Sequence, residues 1–169
     1  MSLHKLSLIG ICLALSLASA LQGQAPAGLA TEIRAIIDEY ENSVRANTLK
    51  IINAPTEEEK ARYRSTIPSA APNATRMMTL LDAHPEDPQS VSGVVWLVTQ
   101  CSSFPEGQTA LQLLATRYAK TAGTAGAIRR LEFYPFATVR AILENIRDQN
   151  PNPAEKAAAI HTLGTHHFH

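Results

Sequence analysis

The histidines near the C-terminus are the residues whose chemistry most clearly suits a metal ion. They are His161, His166, His167 and His169. Two histidines on one helix bind a metal together when they are three or four positions apart, because both rings then share a face. His161 and His166 are five positions apart and point about 140° away from each other around a helix. We therefore expect no metal site and interpret these histidines as surface residues at a frayed terminus. If the tail does bind a metal, the candidate ligands are His166, His167 and His169.

Cys101 is the second residue that could do chemistry, since a thiol can act as a nucleophile or a redox group. The chain has two cysteines, and Cys12 lies in an apolar N-terminal stretch that we expect to be removed. A redox dithiol needs Cys-x-x-Cys spacing, but Val98 and Phe104 stand three positions before and after Cys101. Two interpretations stay open: a small apolar residue at the end of a buried helix, or a reactive or intermolecular thiol.

Acidic residues and known catalytic motifs give no further candidate. Glu57, Glu58 and Glu59 are consecutive, so they fan around a helix and are typical of a solvated face. The sequence contains no Gly-x-Ser-x-Gly elbow, no Gly-x-x-x-x-Gly-Lys loop and no His-Glu-x-x-His motif. We therefore predict a protein without enzymatic activity and without a cofactor.

Residues 1–20 have the pattern of a secretory signal peptide. Lys5 supplies positive charge, residues 6–17 form a twelve-residue apolar run, and residues 18–20 are the small residues Ala-Ser-Ala. Such a run is shorter than the roughly 20 residues that a membrane span needs. We expect cleavage after Ala20, export, and no stable membrane span afterwards; an uncleaved membrane anchor is the alternative. Residues 21–28 are a predicted linker.

Composition indicates a helical domain and argues against a nucleic-acid partner. The chain has fifteen basic and fifteen acidic residues and no basic run with interleaved aromatic residues. It therefore lacks the field that would attract a polyanion. Apolar residues make up 45% of the chain and aromatic residues only 5%, and a core built largely from small aliphatic residues favours closely packed helices. We predict a single all-helical domain over residues 29–169.

Proline and capping residues divide this domain into predicted helices. The first starts near Leu29 or Thr31 and is stopped by Pro55. Thr56 and Glu59 then have the spacing of a capping box, which opens a second helix.

The later helices have similar start signals. Asn73 is predicted to cap a third helix, and Asp87 followed by Pro88 a fourth. Pro105 and Pro135 are predicted to open two more.

The order of these helices predicts an all-α fold built as a helical-hairpin array or irregular α-solenoid. From Asp87 onward helices recur in pairs, and residues 150–164 resemble the second helix of a HEAT-type repeat. A compact orthogonal helix bundle is the alternative. In the last helix, Ala157, Ile160 and Gly164 are spaced to pack closely against a neighbour.

Three stretches resemble a known family: residues 81–88 (LDAHPEDP), residues 94–98 (VVWLV) and residues 139–151, which start VRAILE and end in Asn-Pro. They resemble the helical region upstream of the thioredoxin-like domain in exported TlpA-like proteins, notably of planctomycete-type bacteria. The resemblance spans residues 32–164. It implies a helical fold and a location in the bacterial periplasm or cell envelope.

The same resemblance places the thiol-disulfide chemistry in a downstream domain with a Cys-x-x-Cys motif. This sequence contains no such motif, so no catalytic residue carries over. The leading hypothesis is a non-enzymatic exported scaffold or interaction domain, whose partner is another protein or a missing downstream domain. The alternative is the accessory N-terminal domain of an envelope thiol-disulfide oxidoreductase whose catalytic domain is absent here.

Overall fold

A computed structural model describes residues 28–166 of the chain. The predicted signal peptide, the predicted linker up to residue 27 and the last three residues lie outside this range. The described residues contain α-helices and no β-strand, which confirms the predicted all-α fold. The helices are α1 (Leu29–Asn53), α2 (Glu57–Arg64), α3 (Ala71–Ala83), α4 (Val91–Gln100), α5 (Pro105–Leu113), α6 (Ala125–Leu131), α7 (Phe136–Gln149) and α8 (Pro153–His166).

Local sequence signals explain several of the helix ends. The Thr56 hydroxyl accepts a hydrogen bond from the Glu59 amide at 3.2 Å, as the capping-box spacing predicts. The Asp87 carboxylate accepts from the Gln89 amide at 2.8 Å and starts a 3₁₀ turn, Pro88–Ser90, that leads into α4. These side chains bind amide groups that a helix start leaves without partners.

The prediction that Asn73 caps α3 is wrong. The helix begins at Ala71, two residues earlier, and the hydroxyl of Ser69 accepts the Ala71 amide at 3.2 Å. Asn73 is buried, and its amide nitrogen donates to the carbonyl oxygen of Ile36 in α1 at 3.2 Å. The Asn73 side chain therefore joins α3 to α1 and does not cap the start of α3.

Helix α4 lies at the centre of the packing. It contacts α1, α3, α5 and α6, while α8 packs on α6 and α7. Because it is surrounded, most of its residues are buried, including Val94, Leu97 and Val98. Trp96 is also buried, with its ring edge-on to Tyr40 of α1 at a centroid distance of 5.7 Å.

The buried face of α8 differs from the predicted one. Ala157 is exposed, Ile160 is 55% exposed, and a Cβ atom added at Gly164 would meet no other atom within 4 Å. The helix instead buries Glu155, Ala159 and Thr162, a face that the Glu155 carboxylate fixes by bonding to the start of α6. The predicted close packing through Ala157, Ile160 and Gly164 is therefore wrong.

No helix between residues 28 and 166 has both the length and the apolar character needed to cross a membrane.

Candidate interaction groove

A groove with a volume of about 500 Å³ runs between α1 and α3. The residues that line it recur every three or four positions on each helix, so each set forms one line along its helix. These residues are Glu32, Ala35, Ile36, Arg76, Thr79, Leu80 and Ala83.

The floor of the groove is apolar and its edges carry charge. Ile36 is buried and Leu80 is half-buried against the core. Arg76 donates to the Glu39 carboxylate at 2.7 Å, an exposed ion pair that joins α3 to α1 at one edge. Glu32 is exposed and forms no ion pair with another residue in the described range. Exposed ion pairs add little stability. Glu32 and Arg76 nevertheless place charge beside the apolar floor.

The groove is suited to binding and offers little for catalysis. Its lining supplies one carboxylate, one guanidinium group and one threonine hydroxyl, with no histidine or cysteine among the lining residues. An open apolar groove between two helices is the kind of surface that receives an amphipathic helix.

Comparison of the chain with family models, with curated proteins and with solved structures finds no match. The resemblance to the helical region of TlpA-like proteins therefore stays a prediction. Two of its stretches lie in the described helices: residues 94–98 belong to α4, and residues 139–149 to α7.

Cys101 lies at the C-terminal end of α4 and is fully buried. Burial, with a smaller contribution from the negative charge of Glu106, raises the pKa of the Cys101 thiol to about 11. The thiol is therefore protonated at neutral pH and is a poor nucleophile. This environment favours the interpretation of Cys101 as a small apolar core residue.

We expect Cys101 to resist N-ethylmaleimide in the native protein and to react quickly once the chain is unfolded in guanidinium chloride. The reagent cannot reach a buried sulfur, and the thiolate fraction is small at pH 7. Mass spectrometry of a Cys12→Ser variant would score Cys101 alone. Modification of the native protein as fast as that of the unfolded chain would favour the reactive-thiol interpretation instead.

His166, the candidate histidine within the described residues, packs against the ends of α6 and α7. The Nε2 atom of His166 lies 3.3 Å from the carbonyl oxygen of Leu131, and its ring packs on Phe136 at a centroid distance of 5.4 Å. No three histidine, cysteine, aspartate or glutamate residues within positions 28–166 are placed to hold a metal together. His167 and His169 lie outside the described residues, so the metal candidates in the tail stay a prediction.

The buried carboxylate of Glu155 was not predicted from the sequence. One oxygen accepts from the Gly123 amide at 2.9 Å and from the Asn152 side chain at 3.3 Å. The other accepts from the Thr124 amide at 3.0 Å, the Thr124 hydroxyl at 2.6 Å and the Asn150 side chain at 3.1 Å. The Asn152-x-x-Glu155 spacing is a capping-box signal that could have marked this residue.

The surroundings of Glu155 indicate a structural role. Burial alone would raise the pKa of this carboxyl group, but the hydrogen bonds from Thr124, Gly123 and Asn150 outweigh it, so the pKa is lowered from its ordinary value of 4.5. The group is therefore ionised at neutral pH and is already surrounded by donors. It ties the start of α8 to the start of α6.

Proposed function

We propose that this chain is an exported, non-enzymatic helical interaction domain that binds an amphipathic helix of a partner protein in the α1–α3 groove. The observation that carries the proposal is the apolar floor formed by Ile36, Leu80 and the adjacent alanines of the groove. A helix docked there would bury one apolar stripe, with anchor residues three or four positions apart.

The charges at the edges give the partner helix an expected polarity. Glu32 lines the groove without an ion-pair partner in the described part of the chain, so a lysine or arginine of the partner helix would complement it. Such a charge acts mainly on specificity and association rate. Arg76, the other charged lining residue, is paired with Glu39 and contributes no unpaired charge.

The first partner to test is a thioredoxin-like protein of the bacterial cell envelope. The support for this choice is the sequence resemblance to TlpA-like proteins, in which such a domain follows the helical region. If this partner is the right one, the chain is an accessory domain of a thiol-disulfide system. If another protein binds, the broader proposal of an interaction domain still holds.

Site-specific photocrosslinking tests the groove directly. A benzophenone amino acid in place of Ala83, which is exposed on α3 and lines the groove, should crosslink to a partner in intact producing cells. The matched control is the same amino acid in place of Ala46, which is exposed on α1 outside the groove. We expect a discrete product from position 83 and none from position 46, identified by mass spectrometry.

A second substitution makes the result quantitative. In the position-83 crosslinking protein, Ala35→Arg fills part of the groove and places a positive charge beside Glu32, which would repel a basic residue of the partner helix. The yield should fall about tenfold, which corresponds to about 1.4 kcal/mol of binding free energy. Ala46→Arg adds the same charge elsewhere on α1 and should leave the yield unchanged. Equal yields in the two variants, or a product that contains only a second copy of this chain, would contradict the proposal.

A further inference from the structure

A second pocket, with a volume of about 280 Å³, lies between the loop that follows α4 and the C-terminal end of α6. It shares no lining residue with the α1–α3 groove, so the two sites can be tested independently. Its walls combine two serine hydroxyl groups, a glutamine amide, a guanidinium group and the rings of a phenylalanine and a tyrosine. The lining residues are Ser102, Ser103, Gln108, Arg130, Phe133 and Tyr134.

The guanidinium group of Arg130 has too few acceptors. It forms no ion pair with any carboxylate in the described part of the chain. Its Nη2 atom reaches the Ser102 hydroxyl only at 3.5 Å, and its Nε atom is buried without a hydrogen-bond partner. An arginine side chain carries five donors and a permanent charge, and most buried polar groups in proteins are paired. Because the Nε atom is buried, the terminal nitrogens of the guanidinium are the donors left for an acceptor that enters the pocket.

The walls around this guanidinium are held in place. The Tyr134 hydroxyl donates to the carbonyl oxygen of Val98 at 3.1 Å, and the Gln108 side chain donates to the carbonyl oxygen of Ser102 at 2.9 Å. These bonds fix the loop and one aromatic wall before any ligand arrives. A preformed site of this kind loses less entropy when it binds.

An exposed aromatic ring lies beside the charge. The Arg130 guanidinium carbon lies 5.6 Å from the centroid of the Phe133 ring, and the Phe133 side chain is 73% exposed. Within residues 28–166 it is the most exposed of the large hydrophobic side chains. A ligand that covers this ring would remove apolar surface from water at the same time as it meets the charge.

We propose that the Arg130 pocket binds a small organic carboxylate. The carboxylate pairs with the planar guanidinium fork, which favours two parallel hydrogen bonds, and it accepts from the Ser102 and Ser103 hydroxyls. The apolar part of the ligand packs against the Phe133 ring. The pocket volume of about 280 Å³ is slightly below the range of about 300–1,000 Å³ that is typical of sites for drug-sized ligands. A smaller ligand, of about amino-acid size, therefore fits it best.

Titration of the ¹⁵N-labelled protein with phenylacetate tests the proposal by NMR. We expect saturable shifts of the Ser102 and Ser103 amides and of the Arg130 Nε–H signal. Arg130→Gln should weaken binding at least tenfold. The matched control, Arg129→Gln, removes the same charge from the exposed neighbouring position of α6 and should bind phenylacetate like the wild-type protein.

Two ligands and one more variant separate the alternatives. Phenylacetamide, which has the same shape without the charge, should cause no saturable shifts, and inorganic phosphate should bind more weakly than phenylacetate. Phe133→Ala, at an exposed position that does not support the core, should weaken binding several-fold with the fold intact. The proposal would be overturned if phenylacetamide bound as tightly as phenylacetate, or if phosphate bound more tightly than phenylacetate. It would also be overturned if both Arg130→Gln and Phe133→Ala kept the wild-type affinity for phenylacetate.

Discussion

Glu155→Gln is expected to lower the free energy of unfolding at pH 7 by about 2–4 kcal/mol. The substitution keeps the size of the side chain but turns one carboxylate oxygen into an NH₂ group. One oxygen faces two donors and the other faces three, so the new NH₂ group meets donors whichever way the amide is turned. At least one of the donors of Gly123 and Thr124 then loses its acceptor.

The effect of this substitution should depend on pH in a defined direction. The folded state lowers the pKa of Glu155, so the unfolded chain takes up a proton at higher pH than the folded protein does. The stabilisation from the carboxylate is therefore fully present above the ordinary value of 4.5 and is lost as the pH falls through the lower, folded-state pKa. The difference between the wild type and Glu155→Gln should shrink in that acidic window.

Chemical denaturation at pH 7 and at a series of values below 4.5 measures both effects. Glu58→Gln is the matched control, because Glu58 is exposed on α2 and its replacement should change stability by less than about 0.5 kcal/mol. Equal losses for the two variants at pH 7, or a Glu155→Gln deficit that grows in acid, would show that Glu155 does not tie α8 to α6.

Gly107→Ala is the second substitution with a large expected effect, a loss of about 3 kcal/mol or more. Gly107 lies in the first turn of α5, where the chain has just turned back past the end of α4. An added Cβ atom would overlap the carbonyl oxygen of Cys101 and lie 2.6 Å from its carbonyl carbon. Because these are backbone atoms, no flexible side chain can move aside, and the loop from Cys101 to Phe104 would have to shift.

Gly164→Ala provides the contrast within the same protein. Gly164 lies in α8, where an added Cβ atom meets no other atom within 4 Å. This variant should be neutral or gain up to about 1 kcal/mol, since alanine is the better helix former. Urea denaturation followed by the fluorescence of the buried Trp96 compares the two. A Gly107→Ala variant as stable as Gly164→Ala would show that the Cys101 carbonyl group does not lie against Gly107.

The ends of α1, α2 and α4 could be predicted from the sequence because the signals that set them are local, whereas the start of α3 could not, since Asn73 is buried against α1. Pro55 stops α1 by its own geometry, and Thr56 and Asp87 bind amides only two or three residues away. The all-α class follows from the same signals combined with the alanine-rich composition. None of these inferences needs knowledge of which helices touch.

The sites could not be predicted, because they depend on how the helices pair. The α1–α3 groove needs Ile36 and Leu80 to face each other, and the second pocket brings Ser102 within reach of Arg130. Residues that far apart in sequence leave no periodic pattern. The face of α8 was predicted wrongly for a related reason: the predicted stripe used small and apolar residues. The charged Glu155 is buried because three of its hydrogen bonds come from Gly123 and Thr124, which precede α6 and are about 30 residues away in sequence.

The central position of α4 has a consequence for how the molecule responds to binding. The helix supplies the interior surface for α1 and α3 and equally for α5 and α6, so neither half of the chain encloses an interior of its own. Neither α1–α3 nor α5–α8 is therefore expected to fold without α4. We expect the protein to fold and unfold as one cooperative unit. A partner seated on α1 and α3 would then protect distant α7 and α8 from proteases, through mass action alone.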